Sequence, residues 1–258
     1  MYELSTPFLN IHGCATSWDG QADHTVKFLS STVGRDRINR FVQYFGRFVL
    51  FHAQKNADQK HFAAQIAGLV AVVGATRKVM RTGRQLEFLR GIQKSLALKD
   101  SVVKVTTIMK SLFMAAWLSF DTCQWLHTAG VYKFENIKDI GTKAFKCWLF
   151  ALLFSFTGDI YKLQMNAKKL AIENKVASSG KGDESAVAKK NIKALKVERG
   201  KLWITTVQDG VDILLPASGL EYIGLDGGWV GLAGAFTSLL GGFIPLTLLI
   251  KDSHWNSI

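Results

Sequence analysis

The chain has 258 residues, of which 48% are hydrophobic, and it carries a formal net charge of +12. This length suffices for one domain or a small membrane bundle, and only three prolines are present to interrupt long helices. The three cysteines are odd in number and widely spaced, which excludes a disulfide framework or a cysteine metal site and favours thiols in a reducing compartment.

The first clear helix is predicted from Arg35 to Gln54, where apolar and polar residues occupy opposite faces. The apolar face carries Ile38, Phe41, Val42, Phe45, Phe48, Val49 and His52. The polar face carries Asp36, Arg40, Gln43, Arg47 and Gln54. A stripe this rich in phenylalanine is typical of a core, so we expect the phenylalanines and His52 to be packed inside the protein.

The stretch from His61 to Leu98 predicts a second helix, which bends or ends near Gly83. At 3.6 residues per turn, one sector is apolar and contains Phe62, Leu69, Val72, Val73, Val79 and Met80. The adjoining sector contains the cations Arg77, Lys78, Arg81 and Arg84. Such a helix suits a membrane surface, where the apolar sector enters the lipid and the cations bind headgroup phosphates.

Four cations would contribute roughly 4 kcal/mol of attraction to anionic membrane lipids. The alternative is a packed helix with a solvated basic face. Up to Lys110 the chain holds sixteen Lys and Arg against seven Asp and Glu, so we expect a basic N-terminal region whose helices are amphipathic and do not span the membrane.

Beyond Lys110 the chain becomes apolar. Ser111–Tyr132 and Ala144–Leu163 have nearly the length needed to cross a bilayer, although both carry polar groups, and buried helices of a soluble bundle are the alternative. The segment 166–200 is polar and reads as a basic flexible linker. From Lys162 to Lys201 there are eleven basic and four acidic residues.

The C-terminal region contains the clearest membrane segment. Leu202–Leu225 predicts a half-buried or imperfectly spanning helix, whereas Trp229–Ile250 has twenty-two residues without a charge and predicts a transmembrane helix. Small residues recur in this helix at intervals that let helix backbones approach closely. The glycines of these rows are Gly227, Gly231, Gly234 and Gly242.

These elements predict an all-α integral membrane protein with N-terminal amphipathic helices and a bundle of about four hydrophobic helices. We divide it into a basic amphipathic-helix region (1–110), a hydrophobic helical hairpin (111–165), a basic flexible linker (166–200) and a C-terminal hydrophobic hairpin with the glycine-rich transmembrane helix (201–258). Because both basic regions should face the cytosol, an even number of crossings is expected between them.

No catalytic constellation is visible in the sequence. The six histidines are scattered without an HExxH motif, and neither a GxSxG motif nor a P-loop is present. We therefore expect no catalytic, cofactor-binding or metal-binding residues, and a protein that is not an enzyme. The basic charge could suit nucleic acid, but the usual recognition motifs are absent and a spanning helix argues against that partner.

Two motifs resemble a known family. The segment Gly34-Arg-Asp-Arg-Ile-Asn-Arg-Phe-Val-Gln-Tyr-Phe-Gly-Arg47 is similar to the N-terminal signature of the peroxin-11 proteins, which act in peroxisome proliferation. Its matching residues are Gly34, Arg35, Asp36, Arg40, Gln43, Tyr44 and Arg47. The segment from Arg77 to Leu89 resembles a second stretch of that family, and Asp209, Asp212 and Pro216 resemble its tail.

The resemblance implies an integral protein of the peroxisomal membrane, with a cytosolic N-terminus and a C-terminus on the same side. It implies that the amphipathic helix bends the membrane before division, and that the chain forms homo-oligomers and contacts the fission machinery, including a dynamin-related GTPase.

Two further functions stay open. The resemblance also allows a pore for small metabolites, which polar groups within the apolar segments would line: Asp121, His127, Asp159, Asp209 and Asp212. A soluble helical adaptor is the third possibility and would require Trp229–Ile250 to be a core helix.

Overall fold

The computed structural model describes residues 25–180 and 183–255, with side chains as far as residue 242. Within these ranges the chain forms eight α-helices and no strand, which confirms the predicted all-α class. The helices are α1 (Thr32–Ala53), α2 (Lys60–Arg81), α3 (Gln85–Ser95), α4 (Ser101–Thr128), α5 (Ile137–Ser179), α6 (Asp183–Asp212), α7 (Leu214–Gly219) and α8 (Gly227–Trp255). The lead-in from Met1 to Gly20 lies outside the described residues.

Local chemistry accounts for where several helices begin and end. The Ser31 hydroxyl accepts a hydrogen bond from the Gly34 amide at 3.0 Å and caps α1, and the Asp100 carboxylate accepts one from the Val103 amide at 2.9 Å and caps α4. Gly83 has a φ of +89°, a left-handed conformation that favours glycine, and this residue separates α2 from α3 as predicted.

The helices form an antiparallel bundle whose most extensive pairings are α4 with α5, α1 with α8 and α5 with α6. α1 packs against α2 and α8, whereas α4 packs against α3 and α5, and α5 continues alongside α6. Between α4 and α5 the indole rings of Trp117 and Trp148 stack at 5.3 Å, and Phe113 stacks on Phe150 at the same distance. α8 therefore has α1 as its main partner, in addition to the C-terminal segment with which a hairpin was predicted.

Three helical segments are long and apolar enough to cross a membrane: Ala57–Arg81, Ser101–Thr128 and Ile137–Ser179. The last two contain most of the predicted segments Ser111–Tyr132 and Ala144–Leu163. The first was expected to be amphipathic and not to span, so it is an addition to the predicted set. The predicted segment Trp229–Ile250 lies within α8, most of whose second half has no described side chains.

The predicted flexible linker is wrong for the residues described here, because α5 extends to Ser179 and α6 begins at Asp183. The segment is rich in lysine, alanine and glutamate, which favour helix, and the two helices pack side by side. The amide of buried Asn166 on α5 donates to the Leu195 carbonyl and the Glu198 carboxylate of α6, both at 3.2 Å. We call this antiparallel pair, residues 164–179 with 183–201, the basic hairpin.

The interior of the described bundle holds more polar than apolar residues. Fifteen polar or charged residues are buried against twelve apolar ones, and most of the latter are alanine, while many large apolar side chains are exposed. A water-soluble protein buries its large apolar side chains, whereas hydrocarbon solvates them without cost. The distribution is therefore that of a bundle whose outer surface faces lipid.

Candidate functional site

The polar face of α1 lies inside the bundle. Asp36 and Arg40 are buried, whereas Ile38 and Phe45 on the opposite face are 44% and 46% exposed. The expectation that the phenylalanine stripe forms the core is therefore wrong at Ile38 and Phe45, whereas Phe41 packs against the buried cluster that contains Tyr44. His52 is also exposed, with its ring edge-on to Phe48 at 4.7 Å. Because apolar side chains are stable in lipid, the polar groups that need partners occupy the interior.

Two side chains of α1 hold a buried arginine of α2. The Arg77 Nε donates to the Asp36 Oδ1 at 2.9 Å, and its Nη1 donates to the Gln43 Oε1 at 2.6 Å. Only 6% of Arg77 is exposed. A buried guanidinium needs both a counter-charge and hydrogen-bond acceptors, and α1 supplies them from one helical face.

A second ion pair connects α1 to the C-terminal helices. The Arg40 Nη2 donates to the Asp212 Oδ1 of α6 at 2.5 Å and to the Thr237 Oγ1 of α8 at 3.0 Å. The Tyr44 ring, one turn further on, lies 5.6 Å from the Arg40 guanidinium and 5.1 Å from that of Arg47. The matched motif residues of α1 thus contact α2, α6 and α8. Of the remaining three, Arg35 and Arg47 are exposed and Gly34 lies at the Ser31 cap.

A third set of contacts joins α2 to α4. The Arg81 Nη2 lies 2.7 Å from the Asp121 Oδ2 and its guanidinium lies over the Trp117 ring at 4.9 Å. The Lys78 Nζ donates to the Gln124 Oε1 at 2.6 Å and lies 3.7 Å from Asp121. Three of the four cations predicted to bind headgroups therefore face carboxylates inside the bundle. Only Arg84 pairs with an exposed side chain, that of Glu87 at 3.5 Å.

The apolar sector of α2 points outward. Phe62, Leu69, Val72 and Val79 are exposed, Val72 by 66%, while Val73 and Met80 are half-buried. The arrangement is consequently the inverse of the packed helix with a solvated basic face: the basic sector faces the protein and the apolar sector faces outward.

A cavity of about 450 Å³ lies among these ion pairs, between α1, α2, α4, α5 and α6. Its wall contains eight basic and four acidic residues. The basic ones are Arg37, Arg40, Arg47, Arg77, Lys78, Arg81, Arg84 and Lys110, and the acidic ones are Asp36, Asp121, Asp209 and Asp212. Three of the five polar groups predicted to line a pore, Asp121, Asp209 and Asp212, therefore line this one cavity.

The other two predicted path residues lie away from the cavity. The His127 Nδ1 accepts a hydrogen bond from the Phe134 amide at 3.0 Å, at the turn after α4. Asp159 is buried and pairs with Lys162 one turn along α5, at 3.1 Å. Both residues have local partners of the kind expected for structural groups.

The glycines of α8 lie where this helix crosses α1. A methyl group on Gly231 would be 2.5 Å from the Phe48 amide nitrogen and 2.8 Å from the Tyr44 carbonyl oxygen, and one on Gly234 would overlap the Tyr44 ring. The two outer glycines are less constrained, since the nearest atoms would be 3.6 Å away at Gly227 and 4.0 Å away at Gly242. Close approach of the two backbones therefore depends on the central pair.

The sequence pattern gives no indication of the acidic partners of the α2 cations. Asp36 and Asp121 are separated from Arg77 and Arg81 by about forty residues of chain, and no local spacing pairs them. The available signal was that single carboxylates occur on otherwise apolar or basic helices, where a buried cation is the usual partner. Among the described residues, no group of three or more His, Cys, Asp and Glu side chains could hold a metal ion.

Comparison of the sequence with known proteins gives one family. The chain matches the family model of peroxisomal biogenesis factor 11 (PEX11) over residues 22–243. It is 30% identical over 221 residues to the peroxisomal membrane protein PMP27 of Saccharomyces cerevisiae, covering 84% of this chain and 90% of that protein. It is 28% identical over 232 residues to the peroxisomal membrane protein PMP30B of Candida boidinii, with the same coverage.

A more distant relative aligns over a similar length of the chain. The human peroxisomal membrane protein 11A is 23% identical over 232 residues, covering 85% of this chain and 94% of that protein. No solved structure matches the chain. Since the family model covers most of the sequence and the alignments run through nearly the whole length of the relatives, the chain belongs to the peroxisomal biogenesis factor 11 family.

Proposed function

We propose that this chain is an integral protein of the peroxisomal membrane that elongates the membrane and promotes its division by inserting α2 and by self-association. The observation that carries the proposal is the outward apolar sector of α2. The family match and the relatives named as peroxisomal membrane proteins support the location. Cytosolic termini, homo-oligomers and a dynamin-related GTPase as partner are further parts of the proposal and rest on the family resemblance.

The join between α2 and α3 supports insertion at the membrane boundary. α3 has 11 residues, a length of about 16 Å that is too short to cross about 30 Å of hydrocarbon. Its Leu86 and Leu89 are nevertheless exposed. A short helix with outward leucines, joined to a longer apolar helix by the glycine turn at Gly83, suits the headgroup boundary and would widen one leaflet.

The four cations predicted to bind headgroups fall into two groups, according to whether their acidic partner is buried. Arg84 can reach headgroups in the arrangement observed, because its partner Glu87 is exposed. For Arg77, Lys78 and Arg81, headgroup binding would require α2 to rotate or separate from Asp36 and Asp121. We therefore propose that the apolar sector provides the anchoring in this conformation and that Arg84 provides the first electrostatic contact.

The decisive experiment adds the purified full-length chain, and separately a Gln59–Arg84 peptide, to anionic vesicles, with flotation and electron microscopy as readouts. Val72→Asp and Val79→Asp should abolish tubulation at any salt concentration, since they place a charge among acyl chains without touching the bundle interior. Val187→Asp is the matched control: it makes the same change at an exposed valine of the basic hairpin and should tubulate normally.

Two results would refute the insertion mechanism. One is a wild-type chain that binds vesicles without deforming them, and the other is a Val72→Asp chain that tubulates as well as Val187→Asp. An inert wild-type peptide beside an active full-length chain would move the mechanism from α2 alone to the assembled bundle. The Arg84→Ser variant should bind less well to anionic vesicles, and salt should weaken wild-type binding through screening.

A second candidate function is a pore for small metabolites. The observation that favours it is the cavity of about 450 Å³ with a charged wall inside a bundle that faces lipid. Purified chain in a planar bilayer should then give discrete conductance steps, and Asp209→Asn should change their size or ion selectivity. A chain that tubulates vesicles but never conducts would exclude the pore while leaving membrane remodelling intact.

A further inference from the structure

The charged cavity is short of negative charge. Three of its carboxylates are already engaged, Asp36 by Arg77, Asp212 by Arg40 and Asp121 by Arg81 and Lys78. The remaining basic residues of the wall are Arg37, Arg47, Arg84 and Lys110, and the remaining carboxylate is Asp209. With eight basic and four acidic residues, the wall formed by the described residues carries an excess of four positive charges.

Three of the remaining cations, Arg37, Arg47 and Lys110, have no carboxylate at contact distance among the described residues, whereas Arg84 pairs with Glu87. Arg37 forms no ion pair there: the charges of Arg40 and Arg84 repel it, and those of Asp212 and Asp36 attract it from beyond contact distance. The Lys110 Nζ donates to the Ser155 hydroxyl at 2.6 Å, and its charge also acts on nearby Asp209. The Oδ2 atom of Asp209 is buried without a hydrogen-bond partner.

An excess of this size is costly in such a place. The cavity is bounded by helices whose outer surfaces are apolar, so bulk water and counter-ions screen its charges less than they would on an exposed surface. A monovalent anion would balance only a quarter of the excess. An anion with several charges in a small volume would balance most of it, and the planar fork of arginine matches phosphate oxygens.

We propose that the cavity between α1, α2, α4, α5 and α6, whose wall includes Arg37 and Lys110, binds a small anion of the phosphate class that carries two or more negative charges. Its volume lies within the range of about 300–1,000 Å³ that is usual for small-molecule sites. The phosphate can belong to a soluble metabolite or to a lipid headgroup, and the chemistry of recognition is the same. The site does not depend on membrane remodelling, since Val72 and Val79 lie on the opposite surface of α2.

The test uses the purified full-length chain in non-ionic detergent and pyrophosphate as the probe. Titration calorimetry should show saturable binding, and pyrophosphate should raise the unfolding temperature, while acetate at the same ionic strength should do neither. Arg37→Gln and Lys110→Gln should each weaken binding by about tenfold or more, because each removes a charged hydrogen bond. Arg90→Gln removes an exposed arginine of α3 outside the cavity and should bind as wild type.

A second measurement covers the case in which a cavity variant does not fold. Wild-type chain is modified with phenylglyoxal, which reacts with arginine, and the modified positions are identified by mass spectrometry. Pyrophosphate should protect Arg37 and leave the reaction of Arg90 unchanged. Equal reaction of Arg37 with and without pyrophosphate would overturn the proposal.

Vesicles distinguish the two sources of phosphate. If vesicles containing phosphatidic acid displace pyrophosphate, the ligand is a lipid headgroup; if they do not displace it, the ligand is soluble. Absence of saturable pyrophosphate binding, equal effects of acetate, or equal loss of binding in Arg37→Gln and Arg90→Gln would each reject the site. Those failures would leave the tubulation results, and hence the proposed remodelling, untouched.

Discussion

The buried pair Arg40–Asp212 should be a major determinant of the stability of the bundle. Its atoms are 2.5 Å apart and both side chains are less than 10% exposed. Two unit charges 4 Å apart attract by about 4 kcal/mol at an effective dielectric constant of about 20, so the attraction here is at least of that order. Arg40→Leu leaves Asp212 buried without a counter-ion, which should cost about 3–5 kcal/mol of unfolding free energy.

The double variant Arg40→Leu with Asp212→Leu should recover most of that loss, because a buried apolar pair can be as stable as the ion pair it replaces. The exposed pair Lys143–Asp139 on α5, 2.8 Å apart with side chains 56% and 58% exposed, is the control. Its double-mutant cycle should give about 0.5 kcal/mol or less. Both cycles are measured by reversible unfolding in mixed micelles. Equal coupling energies in the two cycles would refute the view that α1 is held by its polar face.

The remaining predictions concern one glycine, one cap and one buried amide. Gly231→Ala should destabilise the chain by about 1–3 kcal/mol, because its methyl group meets α1 backbone atoms that cannot rotate away. Gly68→Ala on α2 is the control: its methyl group has open space, so this variant should be more stable by about 0.5–1 kcal/mol. Thermal unfolding measures both. The Val103 amide and the Tyr161 hydroxyl, which both donate to Asp100, lower the pKa of this carboxyl from its ordinary 3.8, so its contribution to stability is complete above about pH 4 and lost as the pH falls below that. Asp100→Asn keeps the cap but cannot titrate, so its unfolding temperature should fall less than that of wild type between pH 5 and pH 3. Asn166→Ala should speed amide exchange in residues 183–201 by roughly tenfold, with α4 unchanged, since it removes two hydrogen bonds from the basic hairpin.

The sequence predicted the helices well because their signals are local. The periodicities of α1 and α2, the turn at Gly83 and the apolar character of α4 and α5 can all be recognised within a few helical turns. The direction in which each helix faces is a different matter. An amphipathic pattern separates two faces, but it assigns the apolar one to the interior only when the solvent is water. In lipid the same pattern in α1 has the opposite meaning.

The cavity could not be predicted because it is assembled from distant parts of the chain. Arg40 and Asp212 are separated by 172 residues, and the spacing of α6 charges gives no indication that one of them meets α1. The linker was mispredicted for a related reason. Its lysines and serines indicated solvent exposure, which is largely correct, but exposure does not imply flexibility when alanine, lysine and glutamate support a helix with a partner beside it.

The length of α5 has a geometric consequence. Its 43 residues extend about 65 Å, roughly twice the thickness of the hydrocarbon layer, so if α5 crosses the bilayer about 35 Å of it stands clear of the lipid. The basic hairpin would then project from the membrane as a continuation of α5. On a flat membrane the basic hairpins of neighbouring copies are parallel, and their like charges repel. On a narrow tubule the hairpins diverge, which increases the distance between those charges. Crowding of these hairpins would favour outward curvature by itself. The same chain would then bend a membrane both by repulsion between hairpins outside the lipid and by insertion of α2 into one leaflet.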